Sequence, residues 1–133
     1  MLRSMKKELS ISLLAMTTLV LPVAVHAVEL NTSPLWADNG QSYHACNVAN
    51  ASTSSVTLTI SVVNSSGVLI ATSFNFTLAA GASVEINTDE HYSGFAYCRI
   101  DLPNGAGNTV RANLTVLHFT GSSYDTLAAS QAR

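Results

Sequence analysis

The chain of 133 residues carries two cysteines, Cys46 and Cys98. They are the feature that most restricts how it can fold. Each sits in a strand-like context, Tyr43-His44-Ala45-Cys46-Asn47-Val48 and Phe95-Ala96-Tyr97-Cys98-Arg99-Ile100. Two cysteines on strands of one small exported domain pair as a disulfide. Closing a loop of 52 residues removes chain entropy worth roughly 4 kcal/mol. That is a large part of the stability of a domain of this size. No CxxC is present, and His44 near Cys46 does not make a ligand spacing, so the pair reads as structural rather than as a reactive or metal-binding thiol pair.

The export that this pairing requires is written at the start of the chain. Arg3, Lys6 and Lys7 form a positive segment, Ile11 to Val25 is apolar, and Val25-His26-Ala27 fits the small-x-small rule for signal cleavage. Residues 1–27 read as a signal peptide and 28–133 as one domain of 106 residues, long enough to bury its own core once bridged. No cysteine follows the apolar run, so a lipid anchor is not expected, and no later segment is apolar enough to span a bilayer. After cleavage no membrane anchor remains. The domain then holds three arginines, Arg99, Arg111 and Arg133, against seven carboxylates, a net charge of −4. That balance disfavours nucleic acid and anionic membranes, which need phosphate neutralisation.

The rest of the domain reads as strands. Val56, Leu58, Ile60 and Val62 alternate with Thr57, Thr59 and Ser61, which marks one buried and one wet face. Asn64-Ser65-Ser66-Gly67 predicts a hairpin into a run bearing Val68, Ile70, Phe74, Phe76 and Leu78, long enough to need a bulge near Ala71–Ser73. Val84 and Ile86 mark a short strand. Residues 93–102 place Ala96, Cys98, Ile100 and Leu102 on one face and Phe95 and Tyr97 on the other. Pro103 to Asn108 predicts a hairpin loop into Val110, Ala112, Leu114 and Val116, with a last edge strand near Tyr124–Ala128. Residues 28–41 form an arm broken by Pro34 and Asn39-Gly40, with Trp36 expected as a core plug over one end. No amphipathic helix is evident. The expected fold is therefore all-β: an immunoglobulin-like antiparallel sandwich of about seven strands, with the bridge crossing between sheets. The tryptophan of strand C and the tyrosine two residues before the second cysteine, here Ala96, are missing, so the layout is not antibody-type.

The segments Cys46-Asn47-Val48-Ala49-Asn50, Val56–Val62, Ser66-Gly67, Leu78-Ala79-Ala80-Gly81, Tyr97-Cys98-Arg99 and Val110-Arg111-Ala112 resemble a diffuse group of small exported bacterial β-sandwich proteins with one disulfide. The resemblance implies the fold and an oxidising compartment, and carries no catalytic residues across.

Chemistry-bearing patterns are sparse. His44, His91 and His118, with Asp89 and Glu90, are the candidate metal ligands, and Asp89-Glu90-His91 is their weak cluster. A blue-copper site is excluded, since the domain lacks methionine and Cys98 is committed to the bridge. No Gly-x-Ser-x-Gly elbow, Walker motif or dinucleotide motif occurs. Five Asn-x-Ser/Thr sequons, at Asn31, Asn50, Asn64, Asn75 and Asn113, follow from composition and are not read as glycosylation sites. The expectation is a non-enzymatic, cofactor-free periplasmic or secreted module that meets an unidentified protein partner. The alternatives are a pilus-type subunit assembled by strand exchange and, weaker, a periplasmic metal-binding protein. N-terminal sequencing of the exported protein should begin at Val28; an intact Met1 on it would disprove the cleavage site.

Overall fold

The computed structural model describes residues 26–38, 42–89, 92–105 and 107–132. The expected signal segment up to residue 25, and Glu90 and His91 of the weak cluster, lie outside them. Among the described residues nine strands are formed: β1 (Val28–Asn31), β2 (Leu35–Ala37), β3 (Ser42–Asn50), β4 (Val56–Asn64), β5 (Leu69–Leu78), β6 (Ser83–Asn87), β7 (Gly94–Leu102), β8 (Val110–Phe119) and β9 (Tyr124–Gln131). They build two antiparallel sheets. One runs β1-β7-β4-β5, with β2 also on β7; the other runs β6-β3-β8-β9. No helix occurs among the described residues. The expected sandwich is present, with nine strands rather than seven.

The core is the face that period-two alternation selects. Leu58, Ile60, Val62, Ala96, Cys98, Ile100 and Leu102 from one sheet meet Cys46, Val48, Val110 and Leu114 from the other, all buried. Each fully buried Leu, Ile or Val contributes roughly 1.5–3 kcal/mol relative to exposure. Cys46 on β3 and Cys98 on β7 form the disulfide, with Cα atoms 5.6 Å apart and no exposure of either residue. Both strands are interior to their sheets. The bridge therefore crosses the centre of the sandwich.

The expected hairpin at 103–108 is an arch. Strand β7 pairs with β1, β2 and β4, whereas β8 pairs with β3 and β9 in the opposite sheet. The Pro and Gly signals mark a reversal correctly, but turn chemistry does not say whether the returning strand stays in its sheet. The place beside β7 goes to the N-terminal arm instead. Strand β1 lies along Arg99–Leu102, and β2 lies along Gly94–Ala96. Pro34, which has no N–H to offer the ladder, falls at the gap between them. Thr32 bridges the gap: its N–H donates to the Cys98 carbonyl, and its hydroxyl accepts from the Cys98 N–H, both at 3.0 Å. Gly107 of the arch packs on β1, where a Cβ would stand 2.6 Å from Val28 Cγ1.

The β4–β5 hairpin forms as read. The Asn64 Oδ1 accepts the N–H groups of Ser66 and Val68, and Gly67 takes φ +79°, a conformation glycine adopts without strain. Its bulges lie on either side of Ala71–Ser73, which is itself in regular register. One extra residue falls between Ser73 and Phe76, opposite Thr59, and Ile70 is the other. At the first, Asn75 takes φ +26°, held by its N–H to Thr59 Oγ1 and by Thr59 Oγ1–H to its Oδ1. These bulges break the single parity expected for β5, and Val68 is exposed. Ser61, expected wet, is also buried. It lies between Arg99 of β7 and Thr72 of β5, and its hydroxyl is 3.3 Å from that of Thr72. The last strand extends to Gln131, beyond the expected Ala128.

Because the bridge ties the interior strands of both sheets, Cys46→Ala with Cys98→Ala should lower unfolding stability by about 2–5 kcal/mol. Urea midpoints of the oxidised protein and the double variant measure this, and equal midpoints would deny the bridge its structural role.

Candidate functional site

One end of the sandwich holds most of its aromatic residues. Strand register places Trp36, all four tyrosines, Phe95 and Phe119 in the half reached by the β2–β3, β4–β5, β6–β7 and β8–β9 connections. On the outer face of the five-stranded sheet, Trp36 stands directly opposite Phe95. Their ring centroids are 5.0 Å apart in an edge-to-face arrangement, and the two residues are 55% and 47% exposed. The expected core plug is therefore a surface residue. The cause is register. Leu35 and Ala37 take the inward positions of β2, and Trp36 between them must point out. Further across the sheet, beyond Tyr97 and the buried Val63, Leu69 is exposed as well.

The exposed pair rests on buried polar supports. His44 is fully buried on β3, with its Nε2 2.9 Å from the Leu35 carbonyl. Since that carbonyl only accepts, Nε2 carries the proton and donates. The backbone of His44 is fixed in turn by Thr88: the His44 N–H donates to Thr88 Oγ1, and the Thr88 N–H donates to the His44 carbonyl. The Tyr92 ring meets the His44 ring edge-on at 5.6 Å. The Tyr92 hydroxyl donates to the Phe95 carbonyl at 3.3 Å, and the Ser65 N–H donates to the same carbonyl at 3.2 Å. Thus the peptide just before Trp36 and the peptide of Phe95 are both anchored by hydrogen bonds.

The histidines are placed apart in role. His44 Nδ1 is buried and has no hydrogen-bond partner among the described residues. Burial holds the His44 pKa below the usual 6.5, and its bond to the Leu35 carbonyl opposes that shift. His118, on β8, lies opposite Ser42, with its Nδ1 3.1 Å from Ser42 Oγ; that hydroxyl also donates to Asp38 Oδ1 at 2.6 Å. Serine, histidine and carboxylate are all present, but in the wrong order for acyl transfer. The serine proton is directed at the carboxylate, so Nδ1–H of His118 donates to the serine. A nucleophilic serine needs the histidine as proton acceptor with the carboxylate behind it. Among the described residues, no three His, Cys, Asp or Glu side chains converge as a metal site, and no helix is long and apolar enough to cross a membrane.

Sequence reading placed Phe95 and Tyr97 on the face away from Cys98, and the structure agrees. It did not bring Trp36 to Phe95, because the arm gave no sign of which strand it would join. Tyr92 and Thr88, in a polar loop, were also missed as supports.

No family model matches the chain, and no curated protein matches it. Among solved structures, the crystal structure of Thermotoga maritima 1070 is similar, with a TM-score of 0.53 at 12% identity, covering 79% of this chain and 91% of that one. At that identity the likeness concerns the fold alone.

Neutral His44 gives a signed pH dependence. With the folded pKa below 6.5, the unfolded chain takes up a proton that the folded one refuses. The contribution is complete above about 6.5 and is lost as pH falls below it, with a slope of at most about 1.4 kcal/mol per pH unit. The His44 ring resonances should titrate with a midpoint below 6.5 in the folded protein; a midpoint at or above 6.5 would contradict the buried neutral ring.

Proposed function

We propose that this chain is an exported, non-enzymatic interaction module of the periplasm or the extracellular medium, which docks an unidentified protein partner through the Trp36–Phe95 surface. The observation that carries the reading is the exposed edge-to-face pair, its backbone anchored by hydrogen bonds from His44 and Tyr92. Large aromatic anchors on rigid elements are the residues that dominate binding energy at protein interfaces. A buried disulfide suits an oxidising, non-cytoplasmic environment. The positive and apolar residues 3–25, and the resemblance to small exported sandwiches, support release into the periplasm or beyond. The hydrogen-bond order at Ser42 favours a structural role for that serine over catalysis.

Strand exchange of the pilus type is the second reading. It requires an arm free to complete a neighbour and a groove free to receive one. Here β1 and β2 are paired along β7 of their own chain, which favours the self-contained module.

The test is position-specific. A photo-crosslinking residue at Phe95 should give a discrete adduct with another exported protein in the producing cell. The same residue at Thr77, exposed on the same sheet, should give none. Trp36→Ala should weaken the Phe95 adduct several-fold. Equal labelling at both positions, or none at Phe95, would overturn the proposal.

A further inference from the structure

The arch between β7 and β8 opens with a tight turn. The Gly105 N–H donates to the Leu102 carbonyl at 3.3 Å, which closes the turn Leu102-Pro103-Asn104-Gly105. Pro103 presets its second position, and Gly105 takes φ +72° at its last. Pro103, Asn104 and Gly105 are all exposed. Asparagine followed by glycine is a reactive pair. The glycine nitrogen has no Cβ beside it to shield it, and the asparagine side-chain carbonyl carbon lies one five-membered ring away. The chain's other Asn-Gly pair, Asn39-Gly40, lies outside the described residues.

Ring closure requires an unengaged side chain, an unbranched follower and a backbone free to turn. Among the described asparagines these coincide at Asn104. The side chains of Asn31, Asn50, Asn64 and Asn75 are held in hydrogen bonds. Asn47, Asn87, Asn108 and Asn113 are followed by Val48, Thr88, Thr109 and Leu114, whose side chains crowd the attacking nitrogen. Asn47 and Asn113 also lie within paired strands. The Asn104 side chain makes no hydrogen bond among the described residues. The bond that occupies the Gly105 N–H is longer than is usual for N–H···O and sits in an exposed turn, so little is lost when it opens.

We propose that Asn104 is a site of spontaneous modification in the folded protein, converting to aspartate and isoaspartate and thereby loosening β1. The Gly105 nitrogen attacks Asn104 Cγ. The side-chain nitrogen leaves as ammonia, taking the Gly105 amide proton, and a succinimide remains. Water then opens that ring. Addition at the side-chain carbonyl gives aspartate. Addition at the main-chain carbonyl gives isoaspartate, whose backbone runs through the former side chain and is one methylene longer. Water is the only co-reactant. Either product adds a negative charge beside a cleft that Pro103 lines together with Val28, Glu29 and Asp101, and like charges repel. Isoaspartate also lengthens an arch whose Gly107 already sits so close to β1 that a Cβ would stand 2.6 Å from Val28 Cγ1. Both effects fall on β1, which pairs with this end of β7. The inference does not depend on the Trp36–Phe95 reading.

The experiment ages the purified, folded protein for weeks at mildly alkaline pH and maps it with trypsin. Cleavage after Arg99 and Arg111 isolates residues 100–111, which hold Asn104 and Asn108 and are separate from Asn39. That fragment should gain the mass difference between an amide and a carboxyl, and should co-elute with synthetic aspartate and isoaspartate standards. Asn104→Gln, which keeps the exposed amide but would need a larger ring, should abolish the gain; Asn108 remains in that variant as an internal control. Amide hydrogen exchange in β1 should be several-fold faster in the aged protein than in the fresh one. Asn104→Asp should reproduce part of that increase through charge alone. The proposal is overturned if the fragment keeps its mass, if Asn104→Gln leaves the gain intact, or if β1 exchanges equally fast before and after conversion.

Discussion

The interaction on which this structure depends is the Cys46–Cys98 bridge between β3 and β7. A sandwich of about a hundred residues buries a modest core, and beside the bridge its two sheets are joined by side-chain packing, short connections and a few hydrogen bonds such as His44 to the Leu35 carbonyl. The bridge fixes the two interior strands relative to each other. The other strands hydrogen-bond outward from these two: β6 and β8 on β3 with β9 beyond β8, and β1, β2 and β4 on β7 with β5 beyond β4. At one end of the sandwich a buried amide is fully engaged. Asn50, 1% exposed, donates to the carbonyls of Ser54, Leu78 and Ala79 and accepts from the N–H and the hydroxyl of Ser52. It thereby locks the β3–β4 and β5–β6 turns together at the end away from the aromatic residues. A buried amide satisfied this completely stabilises, where one left unpaired would cost about 1–3 kcal/mol.

What the sequence made legible is local and periodic. The alternation in β4 and β7, the Asn64–Gly67 turn and the bridge are all decided by residues close in sequence or by a count of two cysteines. What it left open is long-range. Nothing in Pro103–Asn108 distinguishes a hairpin from an arch, because both reverse the chain. Nothing in Val28–Ala37 says that this arm will fill the place next to β7 that β8 vacates. Those two facts are one fact, since the arch frees the edge of β7 that the arm then occupies. The misplacement of Trp36 follows from it. An arm without a partner suggests a plug, whereas an arm paired as a strand must turn alternate residues outward.

Ser61 and the β5 bulges show the same limit at smaller scale. Period two predicts which way a side chain points, not what lies over it. Ser61 does point away from the core, yet Arg99 and Thr72 flank it on neighbouring strands and it is buried. Arg99 itself lies 3.4 Å from Asp101 through Nε, without a hydrogen bond to it. Such a half-exposed pair adds little stability. Its guanidinium matters more as cover over the serine than as a charge.

The two outer faces divide the chemistry of the molecule, and the division follows from strand placement. On β7, Phe95 and Tyr97 occupy outward positions next to a polar stretch, Arg99 and Asp101. On β3 and β8, Asn47 and Asn113 occupy outward positions with aromatic residues further along. In both sheets the aromatic residues gather toward the same end, so the two surfaces converge there from opposite sides. Between them sit the buried His44 and Thr88, with the half-buried Tyr92 beside them. His44 ties β2 to β3 across the two sheets through the Leu35 carbonyl, and Tyr92 ties the β6–β7 connection to Phe95. The buried histidine is best understood in that setting. A neutral ring here supplies a hydrogen bond between sheets without placing a charge in the core, and an aliphatic residue of equal size would remove that tie between β2 and β3.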